Sequence, residues 1–148
     1  MEINRAALEM QVVALMNDGN RPGNIQEATI LEGKAKREYN PQNGAGDPRE
    51  SLLNSIRAAK MLARLAHADT LRIAEREALV IRTERMYGLA RDIARYVELD
   101  KAAELIYKEF DETRIELKRL VKKQRIDGVY KNVLSKRIQM RHGKSRRR

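Results

Sequence analysis

A chain of 148 residues with 42% apolar residues, 4% aromatics and no tryptophan can pack helices but has little with which to fill a thick globular core. It has no cysteine, which excludes disulfides and thiolate metal sites, and no apolar run approaches the roughly 20 residues that span a membrane. The net charge of +10 is lopsided: residues 118–148 hold 13 basic residues against one acid, Asp127, whereas the first 117 residues hold 18 basic and 20 acidic ones.

All three prolines and five of the eight glycines fall within the first 48 residues, so turn chemistry is concentrated at the front and long helices are predicted behind it. The opening residues, Met1 to Arg5, carry an acid and no apolar core. They do not read as a signal peptide, and a cytoplasmic or virion-interior setting is expected. A first helix is predicted over residues 4–16, with Ile3, Ala7, Met10 and Ala14 on its apolar face and Val13 beside them. Asn17 to Gly23 form a turn. Asn24 then caps a second helix that runs to about Glu38, with Glu27 at the reciprocal capping position. Residues 39–46 are a loop rich in helix breakers.

Asp47-Pro48-Arg49-Glu50 is the clearest helix start in the chain. Asp47 can accept N–H bonds, Pro48 suits the first turn, and Glu50 favours the positive helix end. A helical pattern follows to about Leu99, which would make a rod on the order of 75 Å long. Leu52, Ile56, Ala59, Ala63, Ala66 and Ile73 form one stripe; Leu79, Met86, Leu89, Ile93 and Val97 form another. The phase changes between Asp69 and Glu77, where a bend is expected. Asp100 reads as the cap of a further helix over residues 101–124, whose face Ile106, Phe110, Thr113, Leu117 and Leu120 folds back on the long helix as an antiparallel hairpin. Asp127-Gly128 reads as a turn, residues 129–140 as a last short helix closed by Gly143, and residues 144–148 as a basic tail. The expected organisation is an N-terminal helical arm (1–40), a linker (41–48), a helical hairpin forming an oligomerisation core (49–126) and a basic end (127–148). Long stripes of Ala, Leu and Ile are hard to bury within one short chain, and self-association is the natural remedy.

No enzyme signature is present, and neither a cofactor nor a metal is implied. There is no phosphate-binding loop followed by Lys-Ser/Thr. His67 and Asp69 are two apart on a helix and point to different faces. Glu75 with Glu77 and Asp111 with Glu112 read as solvated helix faces. The basic end carries the physics instead, because each Lys or Arg that neutralises a phosphate releases condensed counterions. The candidate nucleic-acid contacts are Lys118, Lys122, Lys123, Arg125, Lys131, Lys136, Arg137, Arg141, Lys144, Arg146, Arg147 and Arg148. Lys118, Lys122 and Arg125 recur at helical spacing along one side, with Arg119 and Lys123 adjoining, and are expected to form a cationic ridge at the hairpin tip; Tyr130 is expected to pack rather than to stack on a base. Without Trp or Phe to anchor it, this end does not suit a membrane surface.

Arg57-Ala58-Ala59-Lys60, Ala63-Arg64-Leu65-Ala66-His67-Ala68-Asp69 and Arg76-Glu77-Ala78-Leu79-Val80 resemble the central helix of small terminase subunits, which recognise DNA for packaging in tailed phages. The likeness covers roughly a fifth of the chain. It implies a ring-like homo-oligomer that binds duplex DNA beside a separate packaging motor. Such proteins often begin with a helix-turn-helix domain, which residues 1–40 do not offer, so DNA contact shifts to the C-terminal end. The competing expectation is a structural virion or scaffold protein whose basic tail docks on an acidic partner or on packaged genome. RNA binding is a third.

Overall fold

The computed structural model describes residues 3–18 and 23–146, and side chains as far as residue 137. The chain is all-α. Among the described residues it forms α1 (Arg5–Asn17), α2 (Ile25–Glu38), α3 (Pro48–Ala66), α4 (Ile73–Tyr96) and α5 (Asp100–Arg146), with a minimal antiparallel hairpin of β1 (Tyr39–Asn40) and β2 (Ala45–Gly46).

Helix α1 starts where Asn4 Oδ1 accepts the Ala7 N–H at 3.1 Å. Its buried face is Leu8, Val12 and Met16, whereas Met10 is 74% exposed and Ala7, Val13 and Ala14 face solvent. The predicted face is therefore wrong. The i, i+4, i+8 series of larger aliphatics removes more apolar area than the alanine-rich side would. The turn predicted over residues 17–23 lies largely outside the described residues. In α2 the Asn24 cap forms as predicted, with Oδ1 accepting the Glu27 N–H at 2.9 Å. Residues 39–46, read as a loop, close instead as the small hairpin, in which Tyr39 faces Gly46 and Asn40 faces Ala45. Gly46 sits at φ +106°, and a Cβ there would stand 1.9 Å from the Glu38 carbonyl oxygen, so only glycine fits.

Helix α3 is the centre of the molecule. Asp47 Oδ1 accepts the Arg49 N–H at 3.0 Å and Pro48 occupies the first turn, as the sequence indicates. The helix is buried on most of its circumference, including Leu52, Ile56, Ala59, Leu62 and Ala66. Its alanines allow α1, α2 and α4 to approach from several sides. Ser51 Oγ donates to the Ala35 carbonyl at 2.5 Å, and Asn54 Nδ2 to Glu38 Oε2 at 3.1 Å, which fixes α2 along it. Arg82 of α4 completes the clamp on α2 by donating through Nε to buried Glu32 at 3.0 Å and through Nη2 to Thr29 Oγ1 at 3.0 Å. The ammonium of Lys60, a residue only 9% exposed, donates to the carbonyls of Leu15 (2.5 Å), Met16 (3.2 Å) and Asp18 (2.5 Å) at the end of α1.

On α5, burial holds the Glu109 carboxyl above the usual carboxylate range; Lys60 opposes that shift and Glu112 adds to it. A folded-state value raised in this way costs stability as pH climbs through the carboxylate range and beyond, because the ionised form is disfavoured in the fold. Glu109→Gln should therefore be more stable than the parent in urea at neutral pH. The gap should close in buffer below the ordinary carboxylate range. A gap that is unchanged by pH would contradict this origin.

The rod predicted to continue to Leu99 is two helices, not one. Helix α3 ends at His67, and α4 begins after Arg72, within the stretch where the apolar stripe changes phase. Glu75 Oε1 accepts the Arg72 N–H at 3.2 Å and Arg72 Nε at 2.8 Å, which starts α4, and this pairing holds the Glu75 carboxyl below its usual range. The two helices pack against each other along their length as an antiparallel hairpin, which brings Tyr96 at the end of α4 against Tyr39 near the start of α3, with ring centroids 5.7 Å apart. At the other end of α4, the Leu99 N–H reaches the Ala94 carbonyl at 2.8 Å and the Glu98 N–H reaches Arg95 at 3.0 Å. Glu98 takes φ +61°, where glycine is usual.

This turn sends α5 antiparallel along α4, giving the expected hairpin. Tyr87 meets Phe110 edge-on at 5.7 Å, and Ile106 and Leu117 are buried. Asp100 is the first helical residue rather than the cap. The turn predicted at Asp127-Gly128 and the stop at Gly143 are absent, because α5 runs unbroken to Arg146. A Cβ at Gly128 would meet nothing within 4 Å, so that glycine serves no close approach and costs only about 1 kcal/mol of helix propensity.

Candidate nucleic-acid interface

Helix α5 has two halves. Its first half lies on the body. Gln124 Nε2 donates to the Leu71 carbonyl at 2.7 Å, and Arg125 Nε donates to Glu77 at 3.1 Å. From residue 125 to 137 every residue is exposed. The segment from Arg125 to Arg137 therefore projects about 18 Å beyond its last ion pair with α4. Helix nucleation is supplied by the packed half, so continuing into solvent costs little per residue. Lys and Arg near the C-terminal end also oppose the negative pole of the macrodipole.

The structure sorts the candidate contacts into three groups. Lys118 approaches Glu84 at 4.0 Å and Arg125 pairs with Glu77, so these two are partly neutralised by α4. Lys122, Lys123, Lys131, Lys136 and Arg137 are exposed and make no ion pair among the described residues. Arg141, Lys144 and Arg146 lie in α5 beyond the described side chains, and Arg147 and Arg148 lie outside the described residues.

Because the helix does not turn at Gly128, Lys136 falls in line with Lys118, Lys122 and Arg125. At about 100° per residue, Arg137 falls nearer Lys123, while Lys131 lies on the opposite side. The cations surround the projecting helix instead of forming the single predicted ridge. Tyr130, expected to pack, is 65% exposed.

Where α5 leaves the body, an open notch of about 900 Å³ lies between it and the turn that joins α3 to α4. Arg72, Lys123, Arg125 and Lys131 line it, with Asp69 and Asp127 as the opposing carboxylates. Arg72 was not singled out from the sequence. Its place on the wall follows from the break between α3 and α4, which only a shift of stripe phase announced. Buried Arg76 forms the floor. It donates through Nε to Gln124 Oε1 at 2.8 Å, through Nη2 to the Ala68 carbonyl at 2.9 Å and through Nη1 to the Ala66 carbonyl. This network fixes the direction in which α5 departs.

Comparison with protein-family models, curated proteins and solved structures finds no match to this chain. No group of three or more His, Asp or Glu side chains among the described residues could hold a metal ion. No helix among them is long and apolar enough to cross a membrane. The arrangement can attract a polyanion: uncompensated cations in water act over about 8–10 Å at ordinary salt, and a projecting rod presents them without the body in the way.

Proposed function

We propose that this chain is a non-enzymatic nucleic-acid-binding protein whose projecting end of α5 engages the phosphates of duplex DNA. In the fullest form of this reading it is an oligomeric, small-terminase-like packaging subunit that works beside a separate motor in the host cytoplasm or the virion. The observation that carries the reading is the set of five exposed cations, Lys122, Lys123, Lys131, Lys136 and Arg137, none with a carboxylate partner among the described residues. Phosphate neutralisation by such groups supplies affinity without sequence reading.

The test is a salt titration against duplex DNA, single strands and RNA in parallel. With about six phosphates engaged, the log–log slope on duplex DNA should be near −5. Deleting residues 129–148 should abolish binding while the body stays folded, because no described side chain beyond Arg125 is buried. Undiminished affinity in that truncation would overturn the assignment, and a preference for structured RNA would redirect it.

A second reading, a structural virion or scaffold component, is favoured by the apolar side chains on the same projecting segment. Ile126, Val129, Val133 and Leu134 stand 40–63% exposed there. Under that reading the chain assembles whether or not DNA is present.

A further inference from the structure

The first half of α5, residues 100–117, carries six carboxylates and three cations, and residues 118–137 carry eight cations and one carboxylate. One helix thus has an acidic beginning and a basic end. Leu117, Leu120, Val121 and Gln124 face the body. Continued along the helix, that line becomes Gly128, Lys131 and Ser135, which is polar, as befits a segment with no body beneath it. The apolar side chains of the projecting half lie about half a turn away, on the outward side. There Glu104, Asp111, Ile115, Lys122, Ile126, Val129 and Val133 recur at intervals of three, four or seven residues, the spacing that keeps one helix against another. Tyr107, Ile115, Ile126, Val129, Tyr130 and Val133 are each 44–65% exposed.

We infer that this outward face of α5 pairs with the same face of a second copy, antiparallel, so that the basic end of each helix lies along the acidic beginning of the other. Charge decides the orientation. A parallel pair would set cation against cation at one end and carboxylate against carboxylate at the other, whereas the antiparallel pair satisfies both ends by one two-fold axis. The axis falls at Leu117 and Lys118, where the acidic and basic halves meet, which sets Lys122 and Lys123 of each copy beside Glu112 of the other. Six apolar side chains from each copy, each losing on the order of 90 Å², reach the roughly 1,000 Å² that a specific interface needs. Lys131 stays on the far side of the helix and remains open to solvent. The pairing gives the oligomer of the proposed function a defined surface and does not depend on nucleic acid.

The experiment uses the full chain, freed of nucleic acid by nuclease and high salt and returned to low salt. Light scattering should give a dimer at tens of micromolar. Glu104 and Glu112 are exposed and make no ion pair among the described residues, so Glu104→Lys/Glu112→Lys leaves the fold intact. That double variant should be monomeric, as should Lys122→Glu/Lys123→Glu, whose positions lie beside Glu112 of the other copy, and mixing the two should restore a dimer. The absence of native cysteine allows a single spin label at Ser135→Cys. In the antiparallel pair the two labels should be about 60 Å apart, against about 30 Å in a parallel one, because Ser135 points away from the pairing face. A wild-type chain that stays monomeric, a dimer indifferent to the glutamate reversals, or a short label separation each overturns the pairing. Loss of DNA binding alone leaves it standing.

Discussion

Arg76→Met should lower the stability of the chain by about 3 kcal/mol in urea denaturation, a fall in Tm of roughly 6–12 °C for a protein of this size. The guanidinium is 6% exposed and has no carboxylate partner among the described residues. It is held instead by two carbonyls at the end of α3 and by Gln124 of α5. Those carbonyls stand at the negative pole of a 19-residue helix, where a cation is favoured. Methionine fills the volume but donates nothing, so the Ala66 carbonyl loses its buried partner and Gln124 loses one of its two. Arg76→Lys should recover only part of the loss, because one ammonium cannot span three acceptors placed for a planar fork. A change below 1 kcal/mol in the methionine variant would mean that the turn between α3 and α4 is held by packing alone. The same variant should loosen the exit angle of α5 from the notch while leaving every exposed cation in place. A weakened DNA affinity with an unchanged salt slope would therefore separate positioning from charge.

What could be read in the sequence follows from the range of each interaction. Local signals were legible. Asn24 and Asp47 cap the helices they precede, Pro48 opens α3, and the stripes Leu79-Met86-Ile93 and Ile106-Leu117 are buried. The break between α3 and α4 showed only as a shift of phase, since what fixes it is Arg76 reaching back to Ala66 and across to Gln124, 48 residues away. On α1 the alanine-rich face and the face of Leu8, Val12 and Met16 are both apolar, and periodicity alone does not say which of the two meets a neighbour. Asp127-Gly128 has turn composition, yet α5 passes through it. One glycine costs about 1 kcal/mol, which a helix already nucleated over residues 100–124 can absorb. The candidate cations were legible as a charge run. Their spread around a projecting rod was not, because it depends on that uninterrupted helix.

Lys60→Met should be the other strongly destabilising surface-neutral change, costing about 3 kcal/mol and acting first on α1. The ammonium satisfies three carbonyls at one helix end, Leu15, Met16 and Asp18, and crosses from α3 to do so. It is the cap of α1, supplied in space rather than in sequence, since the last turn of that helix has no basic residue of its own. Removing it strands those acceptors and also removes a cation that favours the ionised form of Glu109. Two consequences can be measured together. Hydrogen exchange in α1 should accelerate more than in α3 or α4, because α1 is held chiefly by Leu8, Val12, Met16 and this cap. In addition, Glu109→Gln should offset part of the loss at neutral pH, because a carboxylate left without Lys60 has only burial and Glu112 acting on it, and both disfavour its charge. If exchange instead rises uniformly across all helices, or if the glutamine adds nothing, then Lys60 is acting as packing and not as the electrostatic cap of α1.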